Sequence, residues 1–270
     1  MISSIFDYIL EFFSVAFKKF NKDETSGDKQ SGLGERQSPI NIMTWSAVPA
    51  ENMPPLRCTY DPASRVNIVN TGSSWRMDFT ADRANLSGGP LEGNYKILQM
   101  HCHWGKKGGK GGSEHTIDGK KYDGELHLVH FNTKYKDFSE AVEKSDGLAV
   151  LGMFLKAGKA HGELEKICRN LSAVQTKGKS MTNDKDFIDP AKYIPVDRTF
   201  FTYPGSLTTP GFQESVDWII FREPIEVSEA QLDAMRSLKT GEEEGCRDCI
   251  VDNWRPQCDL KGRTVKFVTA

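Results

Sequence analysis

The chain predicts a mixed α+β fold, predominantly β, in a single large domain. Three observations carry that expectation. Short runs alternate or stay apolar as strands do, Gly, Pro, Asn and Asp punctuate them, and only a few stretches show helical spacing. The strand-like runs include 65–69, 75–79, 95–104, 125–131, 148–155 and 216–221, and helices are expected at 138–144, 162–174 and 228–238. No internal repeat is visible, so 35–270 reads as one domain.

Ahead of it, residues 1–20 read MISSIFDYILEFFSVAFKKF, with thirteen apolar or aromatic side chains. Ile2, Ile5, Phe6, Ile9, Phe13, Ala16, Phe17 and Phe20 follow the spacing of one helix face. Asp7 and Glu11 precede Lys18 and Lys19, as a helix dipole favours. An amphipathic helix is expected. A secretory signal would start basic and keep an unbroken apolar centre, and this segment does neither. The helix either packs on the domain behind it or docks on a partner or membrane surface. Residues 21–34, NKDETSGDKQSGLG, hold one large apolar residue and three glycines and read as a flexible linker.

Composition narrows the class further. The chain has 270 residues, with 35 Lys+Arg against 37 Asp+Glu, a net charge of -2 that signals no nucleic-acid partner. Hydrophobic residues make up 38%, enough for a sizeable core and too much for wholesale disorder. No uncharged apolar run approaches the ~18 residues of a membrane span. Six cysteines are too sparse for a disulfide scaffold.

Five of the six histidines lie between positions 101 and 130. A strand's period of two puts Gln99, His101 and His103 on one face and Met100, Cys102 and Trp104 on the other. The same rule places Glu125, His127 and Val129 together. The Gly- and Lys-rich segment between the two runs can return the chain, so adjacent strands would bring His101, His103 and His127 to one point. Three neutral imidazoles without an evident fourth protein ligand suit a catalytic zinc site, whose fourth position holds water. Gln99 and Glu125 each precede a ligand by two residues on the same face, where they can accept its second ring N–H. Cys102, turned the other way, is expected to be a buried small hydrophobe.

Six motifs then resemble the α-class carbonic anhydrases. They are QSPINI at 37–42, QMHCHWG at 99–105, SEHTIDGKKYDGELHLVHFNTKY at 113–135, LAVLGMFL at 148–155, YPGSLTTP at 203–210 and VDNWRP at 251–256. The resemblance implies a large, mostly antiparallel central sheet with short surface helices. It implies reversible hydration of carbon dioxide to bicarbonate and a proton, with Zn2+ held by His101, His103 and His127 activating water. Thr208 would accept a hydrogen bond from that water and donate its own to Glu114, while Thr209 would help bind bicarbonate. Val129, Val150, Leu207 and Trp218 would wall an apolar pocket for carbon dioxide. The main-chain carbonyl of Asn253 would orient one ligand. His115 and His130 would be structural, and His161 simply exposed.

The chain also departs from the family pattern. Ser73 stands where fast members carry a histidine, and serine cannot relay protons near pH 7. The helix and linker replace an N-terminal aromatic segment, leaving one cavity wall in question. After LTTP, Gly211 and Phe212 stand where secreted relatives have a cysteine whose partner lies in that missing segment, which favours a reducing, cytoplasmic compartment. Cys246 and Cys249 form a C-x-x-C with Cys258 further on, and are expected to be incidental thiols on a turn. A monomer is expected. The alternatives are a catalytically silent carbonic-anhydrase-like binding domain and, ranked last, a structural zinc protein needing a fourth ligand.

Overall fold

The computed structural model describes residues 34–61, 66–79, 85–242 and 248–269. The expected 1–20 helix, all of the expected linker but Gly34, and Cys246 lie outside the described residues. The first strands are β1 (Asn41–Ile42), β2 (Val48–Pro49), β3 (Arg57–Thr59), β4 (Val66–Asn70), β5 (Trp75–Phe79) and β6 (Asn85–Ser87). The central ones are β7 (Tyr95–Trp104), β8 (Thr116–Ile117), β9 (Gly124–Asn132) and β10 (Leu148–Ala157). There follow β11 (Ser180–Asn183), β12 (Phe200–Gly205), β13 (Val216–Phe221), β14 (Ile225–Val227) and β15 (Lys266–Val268).

One sheet dominates, in the order β11-β4-β5-β7-β9-β10-β13-β12-β15-β2, with β14 beside β10 and the β3–β6 pair attached to β7. Its pairings are mostly antiparallel, but β10 runs parallel to β13 and β14, and β15 parallel to β2. The central strands are covered on both faces. Residues 148–155 are therefore buried without exception, as a continuous apolar run requires.

Alternation sends each strand's side chains into two cores. Leu128, Leu151 and Ile219 pack on the side covered by the helices over 162–168 and 229–236, while Val129, Val150 and Trp218 pack on the opposite side, that of the histidines. The helices are α1 (Phe138–Ala141), α2 (Gly162–Cys168) and α3 (Glu229–Arg236). A capping box between Ser228 and Gln231 starts α3. The Gln231 carboxamide also bonds the His161 N–H and carbonyl, joining the starts of α2 and α3.

Several sequence expectations change in detail. The helix expected over 162–174 breaks after Cys168 and resumes as a 3-10 turn, Leu171–Val174. There the Asn170 side chain donates to the Lys166 carbonyl at 2.8 Å and competes with the helical ladder. The helix expected over 138–144 is a single turn, and that over 228–238 is Glu229–Arg236 with Ser228 as its cap. His161 is not simply exposed: it caps α2 and stacks on Tyr193 at 5.2 Å between centroids. Between β7 and β9 the chain turns back through a glycine-rich loop. Gly112 packs backbone to backbone against Trp104 and Gly105, where no Cβ fits. Among the described residues no helix is long and apolar enough to cross a membrane.

Candidate metal centre

β7 and β9 pair antiparallel with His101 directly opposite His127. His103 follows two residues on along the same face, and the three rings converge, with centroids 4.8 to 5.2 Å apart. One nitrogen of each can be chosen so that all three lie within 4.8 Å of one another.

The other nitrogen of each ring is already committed. His101 Nδ1 donates to Gln99 Oε1 at 2.9 Å, His103 Nδ1 to the Asn253 carbonyl at 2.7 Å, and His127 Nε2 to Glu125 Oε1 at 2.8 Å. This leaves Nε2 of His101, Nε2 of His103 and Nδ1 of His127 as lone-pair donors. Nε2 of His101 and of His103 are buried without a hydrogen-bond partner among the described residues. A buried nitrogen left unpaired is costly unless something binds it. Three neutral imidazole donors in this arrangement fit a zinc ion and leave a fourth position for water. Burial is the main force holding the His101 and His103 imidazoles below their usual range, and it keeps them in the neutral form a metal needs.

Glu125 ties the centre to the scaffold. Burial works to raise its carboxyl, yet the His115 and His127 rings hold it well below the usual carboxylate range. Its Oε2 accepts from the backbone N–H groups of Glu114 and His115 at 2.9 and 2.8 Å. His115 closes the network: Nδ1 meets Glu125 Oε1 at 2.7 Å and Nε2 meets the Tyr203 hydroxyl at 2.6 Å. His115, Glu125 and His127 thus satisfy one another by hydrogen bonds and do not form a second open ligand set. His130 likewise lies between the Tyr60 hydroxyl and the Ala149 carbonyl.

The histidines open into a cleft of about 1050 Å³. Val129, Val150, Leu207 and Trp218 form an apolar wall beside His127, and Thr208, Thr209 and Ser73 also line the cleft. The expected hydrogen bond from Thr208 to Glu114 is not made. Glu114 Oε1 accepts from the Arg255 N–H at 2.8 Å, while Oε2 has no hydrogen-bond partner and instead faces His103 Nε2 at 3.4 Å.

Arg76 is a cleft residue that sequence reasoning missed. It sits opposite His101 in the β5–β7 pairing, lines the cleft, and binds Asp78 through Nε and Nη2 at 2.8 and 3.2 Å. The alternation of Ser74, Arg76 and Asp78 was visible, but not which strand would lie beside it. At the rim, the Arg255 guanidinium stacks 3.8 Å over Phe212. Cys102 is buried, as expected. Cys249 is an exposed free thiol and accepts from Lys239 Nζ at 3.0 Å, while Cys258 is buried.

The sheet and the three-histidine centre define a carbonic-anhydrase architecture, and comparison with known proteins agrees. The family model for eukaryotic-type carbonic anhydrases matches residues 22–269, and the chain belongs to that family. It is a carbonate dehydratase. Carbonic anhydrase 7 of mouse and carbonic anhydrase 7 of human are each 46% identical to it over 236 residues, covering 86% of this chain and 88% of theirs.

Proposed function

We propose that the chain hydrates carbon dioxide to bicarbonate with a zinc ion held by His101, His103 and His127. The observation that carries this reading is the convergence of three imidazole nitrogens whose partner nitrogens are all committed elsewhere. When bound, zinc is a Lewis acid that lowers the pKa of its water towards 7, the chemistry for which carbonic anhydrases are the usual example.

The chain's own residues do the rest. Gln99, Glu125 and the Asn253 carbonyl fix the three ring orientations and tautomers. Val129, Val150, Leu207 and Trp218 hold an apolar substrate beside the centre and exclude water from it. Glu114 Oε2 is a buried acceptor without a donor, and the Thr208 hydroxyl is the donor we assign to it. That bond leaves the Thr208 oxygen lone pairs to accept from the attacking water and so aim it at the carbon. Thr209 binds the bicarbonate product.

Ser73 cannot take up the released proton, so turnover depends on external buffer. We place the protein in the cytoplasm on the absence of the secreted relatives' cysteine at Gly211–Phe212 and the free thiols of Cys58, Cys102, Cys168 and Cys249, and we take it to be a monomer. Residues 35–270 are the catalytic domain in this reading.

The test is stopped-flow carbon dioxide hydration by the zinc-loaded protein at low and high imidazole, with His103→Ala as control. Activity that rises with imidazole and vanishes in the control is expected. One bound zinc without activity would favour the silent binding domain.

A further inference from the structure

The hydrogen-bond ladder between β5 and β7 ends at Arg76 and His101. Beyond that pair, neither the turn through Ser73 nor the ligand His103 is held by strand pairing between β5 and β7. The side chain of Asn253 spans this gap. Its Nδ2 donates to the Ser73 carbonyl at 2.7 Å and to the Cys102 carbonyl at 3.3 Å, and its Oδ1 accepts from the Trp104 N–H at 2.7 Å. The backbone groups it binds therefore flank His103 on both sides, while its own carbonyl takes His103 Nδ1 at 2.7 Å.

The segment is anchored before and after Asn253. Asp252 adopts a positive φ of 52° and accepts from the Lys106 N–H at 3.1 Å, and the Arg255 N–H donates to Glu114. Ser74 Oγ adds a bond to the Cys102 carbonyl at 2.6 Å. Both polar atoms of the carboxamide are used, in three hydrogen bonds, and an amide with one acceptor and one two-hydrogen donor is the group that matches them. Asp offers no donor here when ionised, and Ser offers a single hydrogen from a shorter arm.

We infer that the Asn253 carboxamide is a positioning residue that holds the His103 imidazole and the Ser73 turn in one fixed register. Its main-chain carbonyl orients the ring, and its side chain fixes where that carbonyl sits relative to β7. The same side chain fixes the distance from the zinc ligands to whatever proton acceptor stands at position 73. Zinc affinity, and proton delivery where Ser73→His supplies an acceptor, therefore depend on one side chain that touches neither zinc nor substrate.

The inference rests on the zinc reading of the three histidines, and its test separates the two. Zinc affinity is measured on the full chain by competition with dipicolinate for the wild type, Asn253→Asp, Asn253→Ser and a control, Leu232→Ala, which opens the core on the far side of the sheet. Asn253→Asp is expected to bind zinc about 10-fold or more weakly, as the loss of an outer partner of a metal-bound histidine does. The control is expected to lose as much melting temperature while keeping its affinity within about twofold, since its site is untouched. In a Ser73→His background, adding Asn253→Ser is expected to abolish the gain in turnover at low buffer. The unaltered chain supplies a reading that needs no variant: zinc loading should slow amide exchange at 71–74 and 252–255 together. A wild type that takes up no zinc defeats the zinc reading. A wild type that binds zinc while a folded Asn253 variant binds it equally, or while the control weakens as much, overturns this inference. So does exchange at 71–74 that ignores zinc.

Discussion

Glu125 and His127 lie two residues apart on one strand, and the carboxylate accepts the Nε2 hydrogen of the imidazole at 2.8 Å. The same carboxylate also meets His115 Nδ1 and two backbone N–H groups, so four donors depend on it. Glu125→Gln puts an amide donor against some of them. Zinc affinity is expected to fall about 10–100-fold, measured by chelator competition. The unpaired buried donors should cost about 1–3 kcal/mol in urea unfolding.

Ser73 lies on the cleft, with its hydroxyl 3.1 Å from Thr71 Oγ1. Ser73→His places a group that titrates near neutrality at that point of the cleft wall. Turnover at low buffer should rise, by about 10-fold or more if proton transfer is the slow step, and the stimulation by added imidazole should shrink. Hydration kinetics across an imidazole series measure both. Turnover that stays buffer-dependent would mean that the turn does not deliver protons from position 73.

Thr208→Val removes the hydroxyl assigned to Glu114 while keeping the side-chain shape. A loss of about 10²–10³ in kcat/KM is expected, the usual cost of one preorganised hydrogen bond to the reacting group. Zinc content should stay at the wild-type level, because Thr208 contacts none of the ligand rings through a hydrogen bond. Metal analysis beside the kinetics distinguishes this from loss of the site.

His130 is buried between Tyr60 and Ala149, and burial pushes its imidazole down from 6.5 to about 4. The folded state therefore binds the proton more weakly than the unfolded chain. The stabilisation due to keeping His130 neutral is full above pH 6.5 and is lost as the pH falls towards 4, a total of about 3 kcal/mol. His130→Gln should lack this component. Urea unfolding of both proteins at pH 7 and pH 4.5, with chelator present, should show the wild type losing more stability over that interval.

Much of the geometry of the candidate metal centre is legible because a strand's period is local. The spacing of Gln99, His101 and His103, and of Glu125, His127 and Val129, sets which side chains share a face regardless of the rest of the chain. Apart from Val129, the apolar wall and the Asn253 carbonyl could be named only through the motifs that resemble carbonic anhydrases. No local rule joins Asn253 to His103, which lies 150 residues earlier in the chain. The helix over 162–174 was overextended because helical spacing carries no sign of the Asn170 side chain bonding back to Lys166.

The amino-acid sequence by itself determined the direction of each side chain within its strand and the chemistry available on each face. Only the tertiary structure decided which faces meet. Strict alternation carried back from His101 would put Ile97 on the histidine face. An irregularity in the β7–β9 register between Ile97 and Gln99 turns it into the opposite core. The placement of β5 beside β7 brings Arg76 next to His101, and the chain's return at 252–255 supplies the carboxamide of Asn253. The physical reason is that side-chain direction follows from bonds between neighbouring residues. Strand order and register are instead chosen by burying two apolar faces at once, a condition that involves the whole chain.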